Sequence, residues 1–354
     1  MRIVAFHLLN DFSGSPKVLK QLIKGWQNKG VKTVLFVNWT NGFLSDLPNL
    51  EYHNYYYEFN KNVFIRLTKF FYSQITLFFK AYSFLQKDDI VYCNTILPFG
   101  AALAGKIKGC KVVYHIHETN TNQRLLDLLL NFVIKISASK IIYVSNFVAS
   151  KYNFNIENCV IANAIENDFI EQAKLFKKEK TELKNVLMIC SLKDYKGTNE
   201  FLKLAEVNSH LHFELVINAG QKKIDEYFVS KKITSNTTLF SKQNNVHPFY
   251  QKADVVLNLT RVDLANETFG LTVIEAMAYG LPVIVPPIGG IAELVKDGVN
   301  GFKVDSRNTI ELSEKLNQIF EPAIYKSMSA AQLKFETQFE EENFIQQNLT
   351  FITQ

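Results

Sequence analysis

The stretch Glu267-Thr268-Phe269-Gly270-Leu271-Thr272-Val273-Ile274-Glu275-Ala276-Met277-Ala278-Tyr279-Gly280-Leu281-Pro282-Val283-Ile284-Val285 decides the fold. An apolar run at 254–260 precedes it and reads as a strand. A loop follows, then a helix that starts near Gly270 and stops at Gly280, a glycine suited to a helix C-terminus. The next strand, at 282–285, comes at once. Strand, loop, helix and strand in direct succession form a crossover between parallel strands.

The same alternation runs outward in both directions. Strands are read at 185–191, 213–218, 237–240 and 301–304, with helices between them. An earlier series reads as strands at 2–9, 32–38, 89–94, 111–117, 140–145 and 159–164, separated by amphipathic stretches such as 17–28. The expected class is α/β, two Rossmann-like doubly wound domains, each a parallel sheet covered on both faces. The expected boundaries are 1–166 for the first domain, 167–184 for a polar connection centred on Lys177-Lys178-Glu179-Lys180, and 185–335 for the second domain. Residues 336–354 form a tail whose helix, at 341–353, packs back towards the first domain. With 354 residues each domain can bury a core. Ligands of such sheets bind outside the carboxyl ends of the strands, so two domains facing each other are expected to hold the substrate in a central cleft.

Hydrophobic residues make up 47% of the chain and charged residues 21%, which excludes a disordered chain. Cys93, Cys110, Cys159 and Cys190 lie among apolar neighbours without CxxC spacing. They read as reduced thiols of a cytoplasmic protein rather than a disulfide frame or a zinc site. Met1-Arg2-Ile3-Val4 already reads as a strand, so no signal peptide is expected. The net charge of +5 suits several anionic partners and singles out none.

The chemistry concentrates where the reading began. Unpaired amides of Phe269, Gly270 and Leu271 at the helix start make a positive pole suited to a diphosphate, and Gly270 lets the backbone approach closely. Glu267 lies in the loop before the helix, and Glu275 in its second turn among apolar residues. A carboxylate accepts two hydroxyls at once, which suits a sugar or ribose diol. The plain alternative is that Glu267 favours the helix dipole and Glu275 is solvated. Lys196, in Leu192-Lys193-Asp194-Tyr195-Lys196-Gly197-Thr198, stands at a helix entrance and is placed to neutralise a leaving diphosphate; a solvated loop lysine is the competing reading.

This stretch resembles glycosyltransferase family 4, the retaining group 1 glycosyl transferases of the GT-B fold. The family's hallmark is two glutamates separated by seven residues around a Phe-Gly-Leu helix start, followed by Glu-Ala-Met-Ala-x-Gly-x-Pro-Val; Glu267 and Glu275 keep that spacing. Lys196-Gly197, Gly289-Gly290-Ile291-Ala292-Glu293-Leu294-Val295 and Asp297-Gly298-Val299-Asn300-Gly301 also resemble family sequence. The resemblance implies retaining transfer of a hexosyl-type group from a nucleotide-diphosphate sugar, a UDP-sugar, to a hydroxyl of a glycan or lipid-linked acceptor in polysaccharide biosynthesis. It implies Glu275 on the nucleotide ribose and Glu267 on donor-sugar hydroxyls near the anomeric carbon. One position departs: Cys190-Ser191-Leu192 stands where the family carries Gly-Arg-Leu, so Lys193 or Arg261 would have to replace a phosphate cation.

In the first half, Asn10-Asp11-Phe12-Ser13-Gly14-Ser15-Pro16-Lys17 resembles the family's glycine-rich first loop, with Gly14-Ser15 for the usual Gly-Gly pair. No GxGxxG fingerprint accompanies it. In Val112-Val113-Tyr114-His115-Ile116-His117-Glu118, alternation puts His115 and His117 on one side, without a third metal ligand at convincing spacing. The resemblance places the family's active-site histidine on His117, in contact with the donor sugar, and leaves His115 structural. Ser145 and Asn163-Ala164-Ile165-Glu166 match further family elements. There is no Asp-x-Asp motif, so neither a metal nor a cofactor other than the nucleotide-sugar co-substrate is expected.

Residues 63–84 are apolar and aromatic but interrupted by Arg66, Lys69 and Lys80, a poor transmembrane span. They read as a long core helix with solvated lysines, or as an amphipathic surface resting on the anionic inner face of the cytoplasmic membrane beside a lipid-linked acceptor. Nothing else supports a nucleic-acid partner. Two rivals stand beside the transferase: a nucleotide-sugar epimerase, and a non-catalytic nucleotide-sugar-binding partner that Ser191 keeps in view.

Overall fold

The apolar runs become strands of two all-parallel sheets. In the computed structural model, which describes residues 1–121, 123–175 and 182–354, the first sheet contains β1 Arg2–Phe6, β2 Lys32–Val37, β3 Glu51–Asn54, β4 Asp89–Asn94, β5 Lys111–Ile116, β6 Lys140–Tyr143 and β7 Glu157–Val160. Their order is β3-β2-β1-β4-β5-β6-β7. The second sheet contains β8 Asn185–Cys190, β9 His212–Ile217, β10 Thr237–Phe240, β11 Val255–Leu257, β12 Val283–Val285 and β13 Gly301–Lys303, in the order β10-β9-β8-β11-β12-β13. Central strands are buried along almost their whole length, as expected where helices cover both faces.

Each sheet forms its own unit. One comprises Met1–Asn163 with Glu342–Gln354, the other Ala164–Glu341. The final helix, Glu341–Thr353, joins the first unit: Asn348 donates to the Tyr92 hydroxyl at 3.0 Å, and Ile345 lies so close to Gly25 that a Cβ there would come within 2.4 Å of it. Residues 167–174, part of the expected connection, form the helix Asn167–Lys174, with Phe169, Ile170 and Ala173 buried in the second unit. Lys177-Lys178-Glu179-Lys180 lies outside the described residues.

Several strands differ from expectation. β3 carries no signal in the sequence, β1 ends at Phe6 rather than 9, β11 covers only Val255–Leu257 of 254–260, and β7 begins two residues before the run at 159–164, whose Ile161 and Ala164 are buried in the loop beyond the strand. The helix Val63–Phe84 forms with the expected bounds, capped by the Asn62 side chain. Its buried seam is narrow: Phe70, Ser73, Gln74, Leu77 and Ala81. The helix Phe99–Lys108 crosses it closely at Gly100, where a Cβ would meet the Gln74 carbonyl oxygen at 2.1 Å. The core reading therefore holds for that seam alone. The opposite face leaves Phe64, Tyr72, Ile75 and Phe79 more than half exposed, and Leu125, Leu128 and Phe132 of the helix Arg124–Ser137 are likewise exposed.

Both sheets wind alike. β1 pairs with β4, and β8 with β11, so at each of these points the connections leave to opposite sides and open a crevice at the strand ends. The candidate site residues collect there.

Candidate functional site

At the second sheet's switch point, the loop after β8 carries Lys196 and the loop after β11 carries Glu267. Gly197, at φ 78°, closes the turn Asp194–Lys196; a Cβ there would lie 2.0 Å from the Leu259 carbonyl oxygen. Only glycine lets that turn rest against the end of β11. The close approach joins Lys196 Nζ to Glu267 Oε2 as an ion pair, and the Thr260 hydroxyl donates to the same oxygen at 3.2 Å. Both side chains are about four-fifths buried. Burial alone would pull Lys196 down and push Glu267 up; the partner's charge outweighs it, so the lysine is raised and the glutamate lowered. Both stay ionised at neutral pH. The sequence reading gave the two separate targets; the structure makes them each other's counterion.

The helix that follows is Leu271–Ala278, entered through Gly270 at φ 120°, where a Cβ would sit 2.6 Å from Cγ1 of Ile291. Among the described residues, the amides of Phe269, Gly270 and Leu271 have no hydrogen-bond partner. An anion is the complement of three such N–H groups at a helix start. Glu275, on the next turn, is not solvated: it is 8% exposed and accepts from the Tyr250 hydroxyl at 2.7 Å. Ser191 is half-buried just beyond β8. Arg261 is ion-paired, with Asp263 3.2 Å from its Nε and 2.8 Å from its Nη2, and Glu200 3.6 Å from Nη1. Lys193 is exposed.

The first sheet's switch point gathers His7 after β1, Asn94 at the end of β4 and His117 after β5. Asn94, fully buried, is the hub. Its amide nitrogen donates to the Ser15 carbonyl at 3.1 Å, which leaves its oxygen to accept from His117 Nε2 at 3.0 Å. That arrangement puts the imidazole proton on Nε2 and leaves Nδ1 as an acceptor. Burial, reinforced by His115 and His7, holds His117 well below the ordinary histidine range, so it is neutral. His115 takes the Tyr92 hydroxyl on Nδ1 at 2.8 Å, and burial pulls it down to about 3. The two rings are 4.2 Å apart, yet among the described residues no group of three His, Cys, Asp or Glu gathers as a metal set. Gly14 opens the helix Gly14–Asn28 and is exposed; Ser15 meets the site through its carbonyl. Ser145 caps its own short helix, accepting from the Val148 amide.

Sequence reasoning missed Asn94, Thr260, Tyr250 and Glu118. The last follows His117 directly, accepts its amide on Oε2 at 3.2 Å, and is pushed up to about 7 by burial. Its neighbour Thr95 holds φ 87°, a left-handed backbone rare for a threonine.

The chain matches the family described as Glycosyltransferase Family 4 over residues 12–168 and the family described as Glycosyl transferases group 1 over residues 170–332. It is 24% identical over 257 residues to an uncharacterized glycosyltransferase of Haemophilus influenzae, covering 69% of this chain and 70% of that one. It is 25% identical over 187 residues to an uncharacterized glycosyltransferase of Methanocaldococcus jannaschii, covering 52% of this chain and spanning half of the relative's length. Among solved structures, Anabaena HepE in complex with UDP and glucose superposes with a TM-score of 0.81 at 18% identity, over 100% of this chain and 99% of that one.

Proposed function

We propose, from the premise that this chain belongs to the group 1 glycosyl transferases of family 4 and has their GT-B fold, that it moves a sugar from a UDP-sugar to a hydroxyl acceptor with retention at the anomeric carbon. The observation that carries this reading is the Glu267–Lys196 pair beside three unpaired amides. Transfer develops positive charge on the sugar and negative charge on the departing diphosphate, and fixed charges of the opposite sign lower that barrier. In the free protein Lys196 and Glu267 neutralise each other. On donor binding Lys196 and the amides of Phe269, Gly270 and Leu271 take the diphosphate, and Glu267 is released to the sugar. Glu275 holds the ribose diol. By the family's pattern His117 accepts from a donor-sugar hydroxyl, and Gly14 and Ser15, at the start of the helix after the first loop, bind the donor. HepE's complex with UDP and glucose supports the choice of donor class.

The acceptor we propose is lipid-linked or a growing cell-surface glycan, reached from the cytoplasmic side. The exposed apolar faces of Val63–Phe84 and Arg124–Ser137, with Arg66, Lys69 and Lys80 elsewhere on the former helix, favour it. No helix among the described residues is long and apolar enough to cross a membrane. Such a face rests on anionic lipid with roughly 1 kcal/mol from each basic residue. Co-sedimentation with anionic vesicles at low salt, lost at high salt and in the Arg66, Lys69 and Lys80 to Gln variant, is the expected result; wild type left in the supernatant removes the membrane surface.

The activity itself is tested by incubating the protein with a panel of nucleotide sugars and lipid-linked acceptors, following nucleotide release and the anomeric configuration of the product. Epimerised donor without transfer would make it an epimerase. Nucleotide-sugar binding without turnover would make it a non-catalytic partner, the outcome Ser191 invites.

A further inference from the structure

Glu275 sits in an aromatic corner that the sequence motif does not contain. Tyr250, on the helix His247–Lys252, is wholly buried and sends its hydroxyl to Glu275 Oε2 at 2.7 Å; the Thr272 carbonyl lies farther off, at 3.5 Å. The phenol ring cannot swing aside. Tyr279 stacks on it with centroids 5.6 Å apart and planes 14° from parallel, and Phe169 meets it edge-on at 5.9 Å. Tyr279 is held in turn by His247, whose Nδ1 is 2.6 Å from its hydroxyl. Phe169 comes from Asn167–Lys174, so this helix packs behind the carboxylate.

A carboxylate that is to grip two vicinal hydroxyls must present its lone pairs in one orientation, and a glutamate has three side-chain torsions to fix. We propose that Tyr250 is a positioning residue for nucleotide binding: its buried hydroxyl fixes the Glu275 carboxylate so that the remaining acceptor sites face the two ribose hydroxyls of the nucleoside diphosphate. This rests on the reading of Glu275 as the ribose partner. The hydroxyl is a neutral donor at every working pH, since burial and then the Glu275 charge raise it well above the ordinary phenol range.

The test is calorimetric titration of wild type, Tyr250→Phe, Glu275→Ala and the double variant with UDP and with 2′-deoxy-UDP, each with its melting temperature. Tyr250→Phe is expected to weaken UDP roughly tenfold, the scale of one hydrogen bond to a charged group. It should also narrow the preference for UDP over 2′-deoxy-UDP and raise the donor KM with little change in kcat. In the Glu275→Ala background the same substitution should change neither affinity. Tyr250→Phe with unaltered UDP affinity, or with an equal loss in both backgrounds, overturns the positioning role while leaving Glu275 on the ribose. Glu275→Ala with wild-type affinity for both nucleotides removes the ribose reading itself, and the positioning role with it.

Discussion

The two switch points are built on one winding and filled in opposite ways. Where β8 meets β11, the fold brings together full charges, Lys196 and Glu267, beside unpaired amides. Where β1 meets β4, it collects neutral groups: His7, buried, and His117, half-buried, are imidazoles held below their ordinary range, joined through the amide of Asn94. A charged pair exerts a field on a reacting centre; a neutral imidazole with one proton fixed offers direction without charge. On the proposed reading, the second unit therefore carries the fixed charges and the first a neutral, oriented hydrogen-bonding group.

The largest expected effect separates them by activity. Glu267→Gln should lower kcat for sugar transfer by about 10²–10³-fold, the scale of removing one preorganised electrostatic group. UDP binding, which the proposed reading puts on Glu275, Lys196 and the amides, should survive. His117→Asn should cost only about tenfold, the scale of one neutral hydrogen bond. Kinetics of both variants with the same donor and acceptor decide the matter. A greater loss at His117 than at Glu267 would move the chemistry to the neutral switch point and break the comparison.

The next effect is on stability. Lys196→Met leaves Glu267 ionised, four-fifths buried and without its counterion. Removing one partner of a buried pair costs about 3 kcal/mol. In a Glu267→Gln background the same change should cost far less, because no charge is stranded. Urea unfolding of the two single variants and the double variant measures the coupling. If Lys196→Met is equally mild in both backgrounds, the pair belongs to the exposed kind and carries no stored field.

What could be read beforehand follows from range along the chain. The crossover at 267–285 was legible because strand, glycine-ended helix and strand lie within one short stretch. The helix Val63–Phe84 was legible by length and apolarity, but which face it buries was not, since the inward seam holds Ser73 and Gln74 while phenylalanines face out. β3, Glu51-Tyr52-His53-Asn54, is a short edge strand with no apolar alternation to announce it. The individual candidate residues Glu267, Glu275, Lys196 and His117 stand out in motifs. Their partners were not: Lys196 and Glu267 are 71 residues apart and meet only because β8 lies beside β11. Tyr250 and Asn94 look like ordinary residues of a helix and a strand until the fold aims them.

The smallest effect concerns Glu118, a carboxyl of the neutral switch point. Glu118 follows His117, and burial pushes it up to about 7; backbone donors, the His117 amide first, and the Thr95 hydroxyl pull the other way without prevailing. Between the ordinary carboxyl value and pH 7, the folded protein therefore keeps a proton that the unfolded chain has released. Stability must fall as pH rises through that window and level off above it. At about 1.4 kcal/mol per pH unit, the full loss is on the order of 3 kcal/mol. Glu118→Gln keeps an acceptor for the His117 amide and removes the titration. Wild type and variant should be most alike near pH 4, and the variant should gain on wild type up to about pH 7 and hold that gain to pH 8 in urea or thermal unfolding. A constant difference from pH 5 to 8 would mean that Glu118 is ionised throughout. His117 would then sit beside a permanent negative charge, and the first switch point would be neutral no longer.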